Sequence, residues 1–282
     1  MSTLQQDFDR IALSTEASAD GTTHNDHYHN YLLRHLPANC QEILEIGCGT
    51  GTFSRRLAQH LLGVRRLDGA LTQDRSGSSW HYRDLNAGTA GKRGPHRGSP
   101  DGVLVPPADV RILALDLSPE MIRLARERST QFQNIEFELA DILQRDLPSE
   151  NFDCIATIAT LHHLPYKEML AKMKAALKPG GVILILDLFE PAGLMDSLSN
   201  LLAIPVSVGL RLLHHRRLLP RKQERDAWEA HAHHDLYPTM SEVRDLCPRV
   251  LPGAKIKQHL LWRYSIVWEK PTRPNANCQF AS

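Results

Sequence analysis

Three glycines at alternate positions, Gly47, Gly49 and Gly51, stand directly behind an acid, Glu45, at the end of a short apolar run. Glycines so spaced, where a strand hands over to a helix, let the backbone pass tightly beneath a ligand. A dinucleotide loop of the G-x-G-x-x-G kind would need glycine at position 52, where this chain has Thr52. Asp116 closes a second apolar run, a position from which a carboxylate can accept both hydroxyls of a ribose. A surface aspartate leading a helix is the bland reading of the same residue. Asp141 follows a third run, and an aspartate at a strand end is commonplace. His162 and His163 follow a fourth, and histidine titrates near neutrality, which suits a general base. A structural histidine that orders its loop is the competing reading of His162, and His163 is the weaker of the two.

Those residues need a frame. Residues 41–47 read as a strand, followed by a helical pattern with Phe53, Leu57 and Leu61 on one face. Residues 110–117 read as the second strand, and Ser118-Pro119-Glu120 has the cap, proline and acid of a helix start. Further strands are expected at 135–140, 152–158 and 182–189, with a helix at about 166–178 that stops at Lys178-Pro179-Gly180-Gly181. Strands alternating with helices imply a parallel sheet covered on both faces. Two last runs, 254–261 and 263–269, are nearly contiguous and are expected to pair antiparallel.

The order of these stretches resembles one family. Glu45-Ile46-Gly47-Cys48-Gly49-Thr50-Gly51 resembles the first motif of the class I S-adenosylmethionine-dependent methyltransferases. Asp116, Ala140-Asp141-Ile142, the stretch Phe152–Pro165 and Leu177-Lys178-Pro179-Gly180-Gly181 then follow in that family's order. The resemblance covers about residues 41–63 and 110–189. It implies a Rossmann-like, doubly wound, mostly parallel seven-stranded sheet with its last strand antiparallel. It also implies S-adenosyl-L-methionine as cofactor, transferred by in-line displacement at the sulfonium methyl. Carried over residue by residue, Glu45 and the loop glycines Gly47, Gly49 and Gly51 hold the cofactor's amino-acid end. Asp116 takes the ribose, Leu117 and Ile142 sandwich the adenine, Asp141 accepts from its exocyclic amine, and Ile158 lines the site. A helix near the N-terminus closes over the cofactor in similar enzymes, which puts Tyr28 or Tyr31 within reach of it.

Residues 64–109 break the pattern. They hold seven of the 17 glycines and four of the 17 prolines, with neither helical nor strand periodicity. Glu45 and Asp116 are 71 residues apart, and removing the 46 residues of 64–109 leaves 25, close to the roughly 20 usual between such a loop and its ribose acid. Val64-Arg65 also repeats Val110-Arg111, so a retained foreign segment is one reading. The spacing further suggests that the insertion leaves the sheet beside the ribose end of the site. The expected organisation is a helical cap at 1–40, a cofactor-binding core at 41–190 interrupted by 64–109, a helical lid at 191–253 and closing strands at 254–270.

Composition narrows the partners. Lys plus Arg is 33 against 32 acids, which gives no electrostatic reason to expect nucleic acid. The longest charge-free run, the 14 residues between Asp196 and Arg211, is below the ~18 needed to span a bilayer, so no integral membrane association is expected. The first residues carry Asp7, Asp9 and Glu16 and read as neither signal nor transit peptide. Five cysteines without CxxC spacing fit a reducing, cytoplasmic setting rather than a disulfide scaffold. His231, His233 and His234 are a metal candidate without a carboxylate pair at ligand spacing, so no metal is assigned. No Asn/Asp-Pro-Pro-aromatic motif, Pro-Cys nucleophile or paired-glutamate loop is present. What remains resembles the small-molecule, methyltransferase type 11-like branch, similar to quinone-, sterol- and natural-product methyltransferases. Apolar residues at 194–213 suggest an apolar or aromatic methyl acceptor, and the basic stretch 211–222 an anionic one or a membrane surface; simple packing and a solvated charge run are the bland readings. A non-catalytic cofactor-binding protein, impaired by 64–109, is the alternative function. Oligomeric state is left open.

Overall fold

The computed structural model describes residues 3–16, 25–61, 71–73, 80–82, 110–191 and 237–272. Helices α1 (Thr3–Glu16) and α2 (Asp26–Leu33) precede strand β1 (Glu42–Ile46) and helix α3 (Thr52–Leu61). After β2 (Leu71–Gln73) and β3 (Trp80–Tyr82) come β4 (Arg111–Asp116), α4 (Pro119–Glu127), β5 (Ile135–Leu139) and β6 (Phe152–Ile158). A 3-10 turn at Leu161–His163 leads to α5 (Tyr166–Ala176) and β7 (Leu177–Leu188). Helix α6 (Met240–Val250), β8 (Lys255–His259) and β9 (Arg263–Glu269) complete the described chain.

Seven strands form one sheet in the order β5-β4-β1-β6-β7-β9-β8. The first five pair in parallel, and β9 runs antiparallel to both β7 and β8. The chain steps from β1 outward to β4 and β5, then crosses to β6 and β7, so the order reverses at β1. Sheets of this kind bind ligands beyond the carboxyl ends of the strands where the order reverses.

Both faces are covered, which is why the strands read as apolar runs rather than alternating ones. On one face Leu44, Ile155, Ile183 and Ile185 pack with Met169 and Met173 of α5 and Val243 and Cys247 of α6. On the other, Ile43, Ile112, Leu184 and Leu186 pack with Leu32 of α2 and with Phe53 and Leu57 of α3.

Four expectations change. Residues 64–109 are not devoid of strands: β2 and β3 pair antiparallel, Leu71 opposite Tyr82. Runs of three residues are too short to register as a periodicity. Second, the attachment points of 64–109 are remote from the ribose end. Val110 leads into β4 at its amino end, whereas Asp116 is at its carboxyl end, six residues and about 20 Å further on. Third, α6 falls within the stretch 191–253 expected to form a lid, yet Val243, Cys247 and Leu251 are buried in the core beside α5. Residues 192–236, including the apolar stretch, the basic stretch and His231, His233 and His234, lie outside the described residues. Fourth, Lys178–Gly181 is part of the sheet rather than a free turn. Gly180 (φ +77°) donates its N–H to the Lys270 carbonyl, and the Gly181 carbonyl accepts from the Lys270 N–H.

No helix among the described residues is long and apolar enough to cross a membrane. A cleft of about 300 Å³ lined by Glu42, Arg111, Asn134 and Arg145 opens at the amino ends of the strands, away from the reversal.

Lys270 fastens the end of α5 to the sheet. Its ammonium donates to the carbonyls of Leu177 (2.7 Å) and Lys174 (3.1 Å) and lies 3.4 Å from the Glu150 carboxylate. Lys270→Met keeps the stem and leaves these carbonyls unpaired, so a loss of about 1–3 kcal/mol is expected in urea unfolding.

Candidate active site

The glycine loop between β1 and α3 lies at the carboxyl edge of the sheet. Its N–H groups at Gly47 and Cys48 both donate to the Leu115 carbonyl at 2.9 Å, which ties the loop to the end of β4. Gly47 has φ +71°, and a Cβ there would stand 2.1 Å from the Thr160 hydroxyl oxygen, so β1 and the end of β6 approach more closely than any side chain allows. Around Gly49 (φ +52°) an added Cβ meets nothing within 4 Å, so the crest of the loop is bare.

Asp116 faces that crest. One carboxylate oxygen accepts the Gly49 N–H at 2.7 Å, the other the Ser118 N–H at 2.9 Å. The residue is 9% exposed, and burial raises its pKa, opposed by the N–H groups of Ser118, Gly49 and Leu117. Each oxygen retains a lone pair for a further donor. Leu117 is half-buried next to it, and the Asp116 carbonyl accepts the Ala140 N–H, which brings the end of β5 alongside. Ile142 is buried, and Asp141 is half-buried, with one carboxylate oxygen accepting the Leu143 N–H at 2.9 Å. Ile158, half-buried, ends β6 on the other side of β1. A bare loop crest beside an acceptor-only carboxylate and a partly open aspartate fits an adenosyl group.

His162 sits in the 3-10 turn after β6. Its backbone N–H donates to one oxygen of Asp187 at 2.8 Å and its Nδ1 lies 2.6 Å from the other. An ionised carboxylate only accepts, so Nδ1 carries the proton and Nε2 is the basic nitrogen. The ring makes tilted contacts with His163 (3.8 Å) and Tyr237 (4.8 Å), and its side chain is 3% exposed against 0% for Asp187. Asp187 is absent from the sequence-level candidates, because an acid closing the run Val182–Leu188 reads as an ordinary strand end.

Helix α1 reaches this edge. Asp9 accepts the Ser118 hydroxyl at 2.5 Å at the start of α4, and the Phe8 ring meets His163 edge-on at 5.3 Å. The contacts of α2 run to the β8–β9 turn. The Tyr28 and Tyr31 rings both meet His259, and the Tyr28 hydroxyl donates to the Leu260 carbonyl at 2.8 Å. Among the described residues no group of three His, Cys, Asp or Glu side chains could hold a metal.

Residues 103–181 match a family model described as a methyltransferase domain. Over 252 residues, 88% of this chain and 96% of the relative, the sequence is 24% identical to an uncharacterised methyltransferase of Mycobacterium tuberculosis. These matches support a class I S-adenosylmethionine-dependent methyltransferase. An 81-residue stretch, 28% of the enzyme, is 37% identical to phosphoethanolamine N-methyltransferase 3 of Arabidopsis thaliana, covering 16% of that protein. Among solved structures, the N-methyltransferase NodS from Bradyrhizobium japonicum, in complex with S-adenosyl-l-homocysteine, shares the fold. Its TM-score is 0.53 at 14% identity, covering 96% of this enzyme and all of that chain.

Glu45 lies beneath the loop, 1% exposed, and accepts a hydrogen bond from the Ser54 hydroxyl of α3. Burial is the largest influence on it and lifts its pKa from 4.5 to about 8, with the Ser54 bond opposing. The folded enzyme therefore holds a proton that the unfolded chain releases. Stability from this group is complete below about pH 4.5 and declines as pH rises to about 8. Glu45→Gln is expected to flatten that decline between pH 5 and 8, read from urea midpoints of both proteins across that range.

Proposed function

We propose that the enzyme moves the methyl group of S-adenosylmethionine onto a small molecule with an apolar or aromatic body, with His162 as the base. The observation that carries the reading is the Asp187–His162 pair at the same sheet edge as the glycine loop and Asp116. Bound there, the cofactor supplies a positively charged sulfonium whose methyl is activated for direct displacement.

What the chain must add is alignment and a deprotonated nucleophile. Asp116 accepts the ribose hydroxyls with the lone pairs its backbone partners leave. Leu117 and Ile142 flank the adenine, Asp141 takes its amine, and Ile158 lines the cleft. The loop Gly47–Gly51 follows the amino-acid end, with Glu45 supporting it from below through Ser54. Asp187 holds the His162 ring in one tautomer, so Nε2 points its lone pair away from the strand and takes the acceptor's proton. Phe8, His163 and Tyr237 give this corner aromatic walls, which favours a flat acceptor. Small-molecule acceptors are also named for relatives, among them phosphoethanolamine and the ubiquinone/menaquinone precursors of a Pseudomonas C-methyltransferase.

Two measurements test the reading. Asp116→Ala is expected to weaken S-adenosylhomocysteine binding in calorimetry by roughly 1–3 kcal/mol, and unchanged affinity removes Asp116 from the ribose role. His162→Ala and Asp187→Asn are each expected to lower kcat by about 10²–10⁴-fold across an acceptor panel, with cofactor affinity retained. An undiminished kcat leaves His162 as a loop-ordering residue.

A further inference from the structure

Arg263 is the first residue of β9 and enters the same corner from the far side of the sheet. Its Nε donates to the Asn25 side-chain oxygen at 2.6 Å, and one Nη donates to the Leu261 carbonyl. Among the described residues these two bonds use two of its five N–H donors. Among the described residues no carboxylate lies within ion-pair distance of it. Asp187 is close enough to act on its charge, but both Asp187 oxygens are committed to the backbone and ring of His162 and to the Leu188 N–H. Arg263 is partly buried, and desolvation lowers its pKa. Among the described residues Asp187 is the one carboxylate acting on this guanidinium, and it lies beyond ion-pair distance, so the charge is only partly offset.

Two further features point the same way. The residues that deliver Arg263, Leu261 and Trp262, have φ of +61° and +56°. Hairpin turns with such angles ordinarily use Asn or Gly, so Leu-Trp here stores steric strain, and strain of this kind concentrates at ligand sites. Tyr237 also links the two sites. Its ring lies 4.8 Å from that of His162, and its hydroxyl is within electrostatic range of Arg263.

We infer that Arg263 is the receptor for an anionic group, a carboxylate or phosphate, on the methyl acceptor, and that it fixes the acceptor's nucleophile against His162. This rests on the methyl-transfer reading above. A planar guanidinium with open donors matches either oxyanion in bidentate fashion, which an ammonium cannot do. The acceptor is thus bipolar: an anionic end at Arg263 and a flat, apolar body along Tyr237, with its nucleophilic atom at Nε2 of His162.

The full-length enzyme, saturated with S-adenosylhomocysteine and labelled with 15N, is titrated with inorganic phosphate and separately with acetate. Ionic strength is held constant with chloride, and the Arg263 Nε–H resonance is followed. A saturable shift with phosphate or acetate beyond that with chloride is expected, and the stronger of the two identifies the oxyanion. Arg263→Gln is expected to weaken this binding about tenfold or more, while Arg263→Lys, which keeps the charge, loses less. Asn25→Ala frees α2 while leaving the guanidinium in place, and is expected to change anion affinity less than about twofold. In turnover, 4-hydroxybenzoate, 4-hydroxyphenyl phosphate and 4-hydroxybenzamide form a matched set. Arg263→Gln should raise KM about tenfold or more for the anions, with kcat and the neutral amide little changed. Equal responses to chloride, equal losses on the amide, or equal losses from Asn25→Ala would overturn the assignment and leave Arg263 as a tether for α2. Failure of the wild-type protein to bind S-adenosylhomocysteine would sink the methyl-transfer reading instead. The anion titration, run also without cofactor, still decides Arg263.

Discussion

The working edge of this enzyme depends on one carboxylate placed among backbone N–H groups. Asp116 takes the N–H of Gly49 on one oxygen and that of Ser118 on the other, so it ties the glycine loop to the start of α4. Burying an unpaired carboxylate costs several kcal/mol, while a hydrogen bond to a charged group returns roughly 1.5–3 kcal/mol. Two or three such bonds offset much of that cost in a nearly closed position, although burial still pulls the Asp116 pKa upward. The same bonds aim it. With its inner lone pairs committed to the backbone, the outer ones are left for whatever lies along the bare crest at Gly49.

Around that anchor, the close approaches are made by small or short groups. Gly47 lets the Thr160 side chain sit where a Cβ would be, so the ends of β1 and β6 meet and His162 falls beside the loop. Ser118 serves twice: its oxygen accepts the Met121 N–H as the cap of α4, and its hydroxyl donates to Asp9 of α1. Asp9 is a second carboxylate near Asp116, and its charge adds to the upward pull on the Asp116 pKa. Elsewhere α1 packs Ile11 and Ala12 against Met121 and Leu124 of α4 and sets the Phe8 ring edge-on to His163. The helix is thus held by a short polar bond to Ser118, by apolar packing on α4 and by an aromatic contact at His163.

How much of this could be read from the chain follows from sequence distance. The loop glycines, Glu45 and the strand-to-helix change are contiguous, and so are Asp116 with the Ser118-Pro119-Glu120 helix start. Local chemistry is enough for both. Asp187 could not be found that way. Its partner is 25 residues away, and nothing about Ile-Leu-Asp-Leu distinguishes an acid that bonds a histidine from an ordinary strand end. Arg263 is further still, 238 residues from Asn25. Tyr28 and Tyr31 show a different limit: their spacing reveals an apolar helix face, but not which surface receives it, and the surface is the β8–β9 turn. The capping box Thr239–Glu242 and the buried Met240, Val243 and Cys247 of α6 lie inside the stretch 191–253 expected to form a lid, and packing against α5 makes it a core helix instead.

The long interruption between α3 and β4 is where spacing misled most, and energetics explains why the site tolerates it. Leu61 ends α3 and Val110 precedes β4, so 48 residues bridge a gap that two would span without the insertion. Loop-closure entropy grows with the logarithm of length, so the difference is about 2–3 kcal/mol. Against it stands the β1–β4 ladder, in unbroken register from Glu42 opposite Arg111 to Ile46 opposite Leu115, with Ile43, Leu44, Ile46, Ile112 and Leu115 all buried. Burying a single Ile or Leu contributes about 1.5–3 kcal/mol, so one or two of these side chains offset the whole closure term. The penalty falls on global stability and on the rate of pairing β4 with β1. The chain re-enters at the amino end of β4, while the loop, Asp116 and His162 stand at the carboxyl edge, a strand's length away.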